Sequence, residues 1–192
     1  MAIEPYDKCA RQTEYFMVRC LSMLLEELPL GRGYTLLDLG ARSGHGSGLI
    51  QRLFQKDGGL GIEIEVFSSN FNHEENLWFN EFQWGITPKL IDINSDHLLD
   101  GFDIVIASHM IEHTKNPHNT FRNIAALAKK YFIIACPYKE QKLHHGSWWH
   151  DSSIDGTVLF DIQTPIKHKI VGADAGYPYS SCYYGLYRGG VQ

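Results

Sequence analysis

Apolar residues recur at helical spacing through the first part of the chain, at Tyr15, Phe16, Cys20, Leu21, Leu24, Leu25 and Leu28, and Pro29 with Gly31-Arg32-Gly33 ends the pattern. That periodicity predicts a helix over 5–28. Leu36, Leu37 and Leu39 around Asp38 then read as a buried strand, and Gly40, Gly44, Gly46 and Gly48 lead into Leu49–Phe54, where helical spacing resumes. Leu60–Ile64 predicts a second strand, the Asn-, Glu- and aromatic-rich residues 70–84 a helix, and Pro88–Ile93 a third strand. Phe102–Ser108 is a continuous apolar run and predicts a central strand. Pro117–Lys130 predicts a helix with proline at its start, and Tyr131–Cys136 a fifth strand stopped by Pro137. The tail changes character. Ile166–Gly172 and Cys182–Arg188 are strand-like runs joined by glycine, proline and serine with no helical pattern between them, which predicts an antiparallel hairpin.

Strands alternating with helices argue an α/β fold with a parallel sheet and right-handed crossovers. At 192 residues the chain is expected to be a single domain over 1–192, with an N-terminal helix in 1–30, a core in 34–136, and a further segment with the terminal hairpin in 137–192. A composition of 44% hydrophobic and 20% charged residues is that of an ordinary globular protein. No apolar run approaches the roughly 20 residues needed to span a bilayer, and the first residues lack a secretory pattern, so the expected location is cytoplasmic. Cys9, Cys20, Cys136 and Cys182 form no Cys-x-x-Cys pair, which argues against a zinc ribbon or a dithiol redox motif. Net charge is −5, and the longest basic run is Lys129-Lys130, a poor match to extended phosphate-backbone contact.

The stretch Thr35–Gly48 places an apolar strand and its acid directly before a glycine-rich turn and a helix N-terminus, the arrangement of a cofactor loop. Gly40-Ala-Arg-Ser-Gly44-His-Gly46 also fits the glycine pattern of short-chain dehydrogenases. Asp38 separates the two classes, since a carboxylate two residues before the first glycine would repel a pyrophosphate and would favour the ammonium and sulfonium of S-adenosylmethionine. The stretch therefore resembles motif I of the class I S-adenosylmethionine-dependent methyltransferases, with Arg42 in place of the middle glycine. That resemblance implies a Rossmann-like three-layer sandwich whose mostly parallel, seven-stranded sheet ends in an antiparallel hairpin, as the tail suggests. It also implies S-adenosyl-L-methionine bound by Asp38, Gly40, Arg42 and Gly44.

In an open α/β sheet, ligands lie outside the carboxyl ends of the strands. Glu63 in Gly-Ile-Glu-Ile resembles the motif whose acid receives the ribose hydroxyls; the plain alternative is a charged strand end, and Glu65 would point the same way. Asp92 and Ile93 resemble the segment that holds adenine, against the alternative of a turn acid. Phe102–Ser108 followed by His109-Met-Ile-Glu112-His113 resembles the family's fourth motif, which adds Ser108 to the cofactor set and makes His109 and His113 candidate catalytic residues. The same residues fit the His-x-x-Glu-His pattern of zinc hydrolases, and the Glu-x-x-Glu-His cluster of terminal RNA 2′-O-methyltransferases with His109 at the first glutamate. A zinc pair needs a well-formed helix and a third protein ligand, whereas this one follows a buried strand and soon meets Pro117. No metal is therefore expected in the site. Trp148 and Trp149 among His144, His145 and His150 read either as a wall of the acceptor pocket or as a seal on the sheet end.

The expectation is a methyltransferase acting on an acceptor that is a small molecule, or a glycan or lipid intermediate, in preference to nucleic acid. A histidine would serve as base if the acceptor is a hydroxyl. The rivals are a non-catalytic cofactor-binding or partner module, a metal-dependent RNA 2′-O-methyltransferase, a nicotinamide-dependent reductase and a zinc hydrolase.

Overall fold

The computed structural model describes residues 4–54, 61–71, 86, 88–94, 101–140, 144–145, 148–155, 159, 161–173 and 180–190, with side chains from 12 onward and none over 144–149. In chain order the elements are α1 (Glu4–Leu25), β1 (Gly33–Leu39), α2 (His45–Leu53), β2 (Glu63–Asn70), β3 (Pro88–Leu90), β4 (Phe102–Ser108), a 3₁₀ turn (Ile111–His113), α3 (Pro117–Leu127), β5 (Ala128–Pro137), the short pair β6 (His144–His145) and β7 (Trp148–Trp149), β8 (Lys167–Val171) and β9 (Cys182–Arg188). Of the helix expected over 70–84, Asn70 ends β2 instead and residues 72–84 lie outside the described residues, as do the side chains of Trp148 and Trp149.

Seven strands form one sheet in the order β3-β2-β1-β4-β5-β9-β8. The pairs among β1 to β5 are parallel, and β9 inserts antiparallel between β5 and β8, with Pro137 opposite Cys182. The alternating faces of the strands meet two cores. Leu36, Ile104, Ile106 and Ile133 pack with Phe16, Met17 and Leu24 of α1 and Ile50 of α2, while Leu37, Leu39, Val105 and Phe132 pack with Phe121 and Ile124 of α3 on the other face. Helices on both faces make the three layers that a parallel sheet requires. The order reverses between β1 and β4, so their carboxyl ends open the crevice where such sheets bind ligands. Among the described residues no helix is long and apolar enough to cross a membrane.

Two boundaries differ from the periodicity. The helix expected to run to Lys130 stops at Leu127, because Ala128 and Lys130 accept hydrogen bonds from the N–H groups of Gly190 and Gly189 at 2.7 and 2.8 Å and the chain enters the sheet early. The second strand runs to Asn70 instead of ending near Ile64, because Ser68 and Ser69 pair in register with Asp38 and Leu39 of β1. This second difference moves a candidate site residue.

Candidate active site

The turn after β1 is built on left-handed backbone. Gly40 has φ 73° and Gly44, which caps α2 without a side chain, has φ 79°. At Gly40 a Cβ would come within 3.0 Å of the Met110 side chain, so the two loops at the switch point pack against each other there. Arg42, at the middle position, adopts φ 49°, a conformation that disfavours any residue with a Cβ. Asn70 at the end of β2 supports it. Asn70 Oδ1 accepts from the Arg42 N–H at 2.7 Å, and Asn70 Nδ2 donates to the Arg42 carbonyl at 2.8 Å.

Asp38 is 3% exposed and points into the first turn of α2, where the Ser47 hydroxyl donates to Oδ2 at 2.7 Å. Burial pushes its carboxyl up to about 6, against the opposing pull of the Ser47 hydroxyl and N–H. A Cβ on Gly46 would come within 3.0 Å of Asp38 Oδ2 and 2.8 Å of Met17 Cε, so the glycine lets α2 close onto both. The acid thus ties strand to helix from inside the loop.

The other predicted positions divide. Glu63 is exposed at the amino end of β2, opposite Gly33 at the start of β1, and therefore at the far end of the sheet from the glycine loop. The reading of Glu63 at a strand's carboxyl end is corrected by the longer strand. Asp92 is exposed, and its Oδ1 accepts from the Asn94 N–H at 2.9 Å, an Asx turn. Ile93 is buried in the core beneath α3, where its carbonyl accepts from Asn123 Nδ2 at 2.7 Å. Ser108 ends β4 at the switch point, half-buried, beside the loop that carries both histidines.

His109 also has left-handed backbone, φ 53°, and its N–H donates to the Ala135 carbonyl at 2.7 Å. Its ring centroid lies 4.1 Å from that of Phe16, and its Nδ1 lies 3.1 Å from Glu112 Oε1. Glu112 is 1% exposed; burial alone would push its carboxyl up, but His109 and then His113 outweigh that and hold it below the ordinary range. His113 faces His150 with ring centroids 4.9 Å apart, and His150 Nδ1 lies 2.7 Å from Glu140 Oε2. Three bonds bring the distant His150 there. The Ser152 N–H donates to the Glu112 carbonyl at 3.0 Å and its hydroxyl to the Thr114 carbonyl at 2.7 Å, while the Lys139 N–H donates to the Ile154 carbonyl at 2.7 Å.

The structure therefore gathers Asp38, Gly40, Arg42, Gly44, Ser108, His109 and His113 around the crevice and leaves Glu63 out. Sequence reasoning missed Asn70, Ser47, Phe16 and Glu140. Of these, only Ser47, one turn into a helix that follows a buried acid, carried a local signal.

A family model described as Methyltransferase domain matches residues 9–164. No curated protein sequence matches the chain significantly. Among solved structures, the chain resembles magnesium protoporphyrin IX methyltransferase from Synechocystis PCC 6803 with bound S-adenosylhomocysteine, at TM-score 0.70 and 10% identity over 98% of this chain and 88% of that one. It also resembles the putative methyltransferase complexed with the Haloferax volcanii Trm112 activator, at TM-score 0.65 and 15% identity over 99% and 97% of the two chains. Against the citrinin polyketide synthase CMeT domain the TM-score is 0.63 at 15% identity, over 87% of this chain and 50% of that chain. With the family model spanning most of the sequence and the glycine loop, switch point and antiparallel last strand in place, this chain belongs to the S-adenosylmethionine-dependent methyltransferase-domain family.

Proposed function

We propose that this chain transfers the methyl group of S-adenosylmethionine to a nucleophilic atom of a small molecule, or of a glycan or lipid intermediate. The observation that carries the reading is the convergence at one switch point of the loop Gly40–Gly44 with Ser108, His109 and His113. The donor chemistry fits the cofactor. An α2 N-terminus capped by Gly44 without a side chain suits the amino-acid carboxylate, and the buried Asp38 behind it supplies the negative charge that an ammonium and sulfonium favour. Gly40, Arg42, Gly44 and Ser108 would hold the methionine side, and Asp92 would meet the adenine.

When bound, the cofactor supplies an already activated methyl group, so the chain's own part is to position the acceptor and exclude water. His109 and His113 stand where a hydroxyl acceptor would need a base. The net charge of −5 supports a small-molecule acceptor over nucleic acid.

A second reading, a cofactor-binding module without transfer, draws on Asn70. It occupies the carboxyl end of β2 with its amide committed to Arg42, where the resemblance leads one to expect a carboxylate for the ribose. Incubation with methyl-labelled S-adenosylmethionine and a small-molecule extract decides between the two. Label appearing in a small-molecule product, and lost on His113→Ala, supports transfer; binding without any labelled product supports the module.

A further inference from the structure

We propose that Glu112, His113 and His150 form a binding site for a divalent transition-metal ion, with Glu140 as the residue that positions His150. Each of the three offers one ligand atom, and these atoms lie within 4.8 Å of one another. Two imidazoles and a carboxylate suit ions of the zinc and manganese kind and leave further coordination positions open.

Three observations support the assignment. Glu112 is 1% exposed, and apart from the contact with His109 no side chain among the described residues hydrogen-bonds its carboxylate oxygens. A buried carboxylate held ionised beside two imidazoles is the kind of oxygen ligand such an ion takes. Next, Glu140 Oε2 sits 2.7 Å from His150 Nδ1, with side-chain exposures of 10% and 15%. A carboxylate at that distance orients the ring, as the partners of metal-bound histidines do. Finally, His150 is held in place by the backbone and by bonds to the residues beside Glu112: Ser152 is tied to the Glu112 and Thr114 carbonyls, and Lys139 to Ile154. The third ligand that the sequence around His109–His113 lacked comes from a segment folded back over the turn. The departure from the expected metal-free cluster rests on that placement.

The site stands on its own geometry and does not depend on the methyl-transfer reading; with an ion on His113, His109 is the histidine left to serve as base there. The test is calorimetric titration of chelator-treated full-length protein with Zn²⁺ alone, repeated with Co²⁺ and read by its visible absorption. One ion per chain is expected. His150→Ala should weaken binding at least 100-fold, Glu140→Gln by roughly 10- to 100-fold, and the exposed His118→Ala not at all. Circular dichroism that matches wild type shows that each variant is folded, and His150→Ala removes a partly exposed ring and not a core residue. Absence of stoichiometric binding in the wild type, or undiminished binding in His150→Ala, overturns the proposal. A Zn²⁺ titration that succeeds while S-adenosylhomocysteine fails to bind would overturn the methyl-transfer reading and leave the metal site standing.

Discussion

Asn70 grips Arg42 by both sides of its backbone, accepting from its N–H at 2.7 Å and donating to its carbonyl at 2.8 Å. The glycine loop thereby tolerates a side chain where φ is 49°. The amide of a neighbouring strand supplies the constraint that a glycine would otherwise make unnecessary. Removing it with Asn70→Ala should cost about 1–3 kcal/mol, since two backbone groups lose a partly buried partner. Arg42→Gly relieves a left-handed conformation worth about 1–2 kcal/mol but frees the unfolded chain, so it should be neutral or stabilising by up to about 1 kcal/mol. Urea denaturation of both variants and of the double variant checks this. The double variant should lose less than the sum, because glycine no longer needs the clamp.

Asp38 gives a pH dependence with a definite sign. Its folded-state carboxyl is raised from 3.8 to about 6 by burial, so the native state binds more protons than the unfolded state between those values. Stability contributed by this group is then complete below about pH 4 and falls as pH rises through about 6. The upper limit of the loss at pH 7 is about 3 kcal/mol, from 1.36 kcal/mol for each pH unit. Asp38→Asn should flatten the difference in stability between pH 4 and pH 7 in thermal denaturation. Ser47→Ala, which removes the 2.7 Å hydroxyl donor, should steepen it.

Glu63→Ala should leave cofactor affinity unchanged. The residue pairs with Gly33 at the amino end of the sheet, while the glycine loop leaves β1 at the carboxyl end. Calorimetry with S-adenosylhomocysteine checks it, and a loss of 1.5 kcal/mol or more would restore the ribose role to this acid.

Gly185→Ala tests the packing of β9. A Cβ at this position would overlap the Tyr183 hydroxyl and approach Tyr187 Cε2 to 2.7 Å, and the two tyrosines share a buried hydrogen bond of 2.7 Å. Overpacking of this kind costs about 1–3 kcal/mol. A drop in thermal midpoint with unchanged cofactor affinity is expected, because β9 lies beyond β5 from the crevice.

The frame of the fold was legible because its signals are local. Apolar runs such as Phe102–Ser108, the glycines at 40 and 44, and the proline-stopped fifth strand each act within a few residues. The end of β2 was not, since Ser68, Ser69 and Asn70 read as a polar loop and become strand only by pairing with β1 and β3. An end near Ile64 would put Glu63 at the carboxyl end of β2, whereas the pairing with β1 and β3 puts Asn70 there. Ile93, expected beside the adenine, has its apolar side chain in the core under α3. The meeting of His150 with His113 depends on a tertiary crossing that no spacing in the sequence encodes.

The central claim is that the Gly40–Gly44 crevice takes S-adenosylmethionine and not a dinucleotide, and the most direct measurement is ligand-induced stabilisation with S-adenosylhomocysteine and NADP in parallel. At about 100 times its dissociation constant, S-adenosylhomocysteine should stabilise the fold by about 2.7 kcal/mol, and NADP should leave the thermal midpoint unmoved. A shift with NADP and none with S-adenosylhomocysteine would contradict the account.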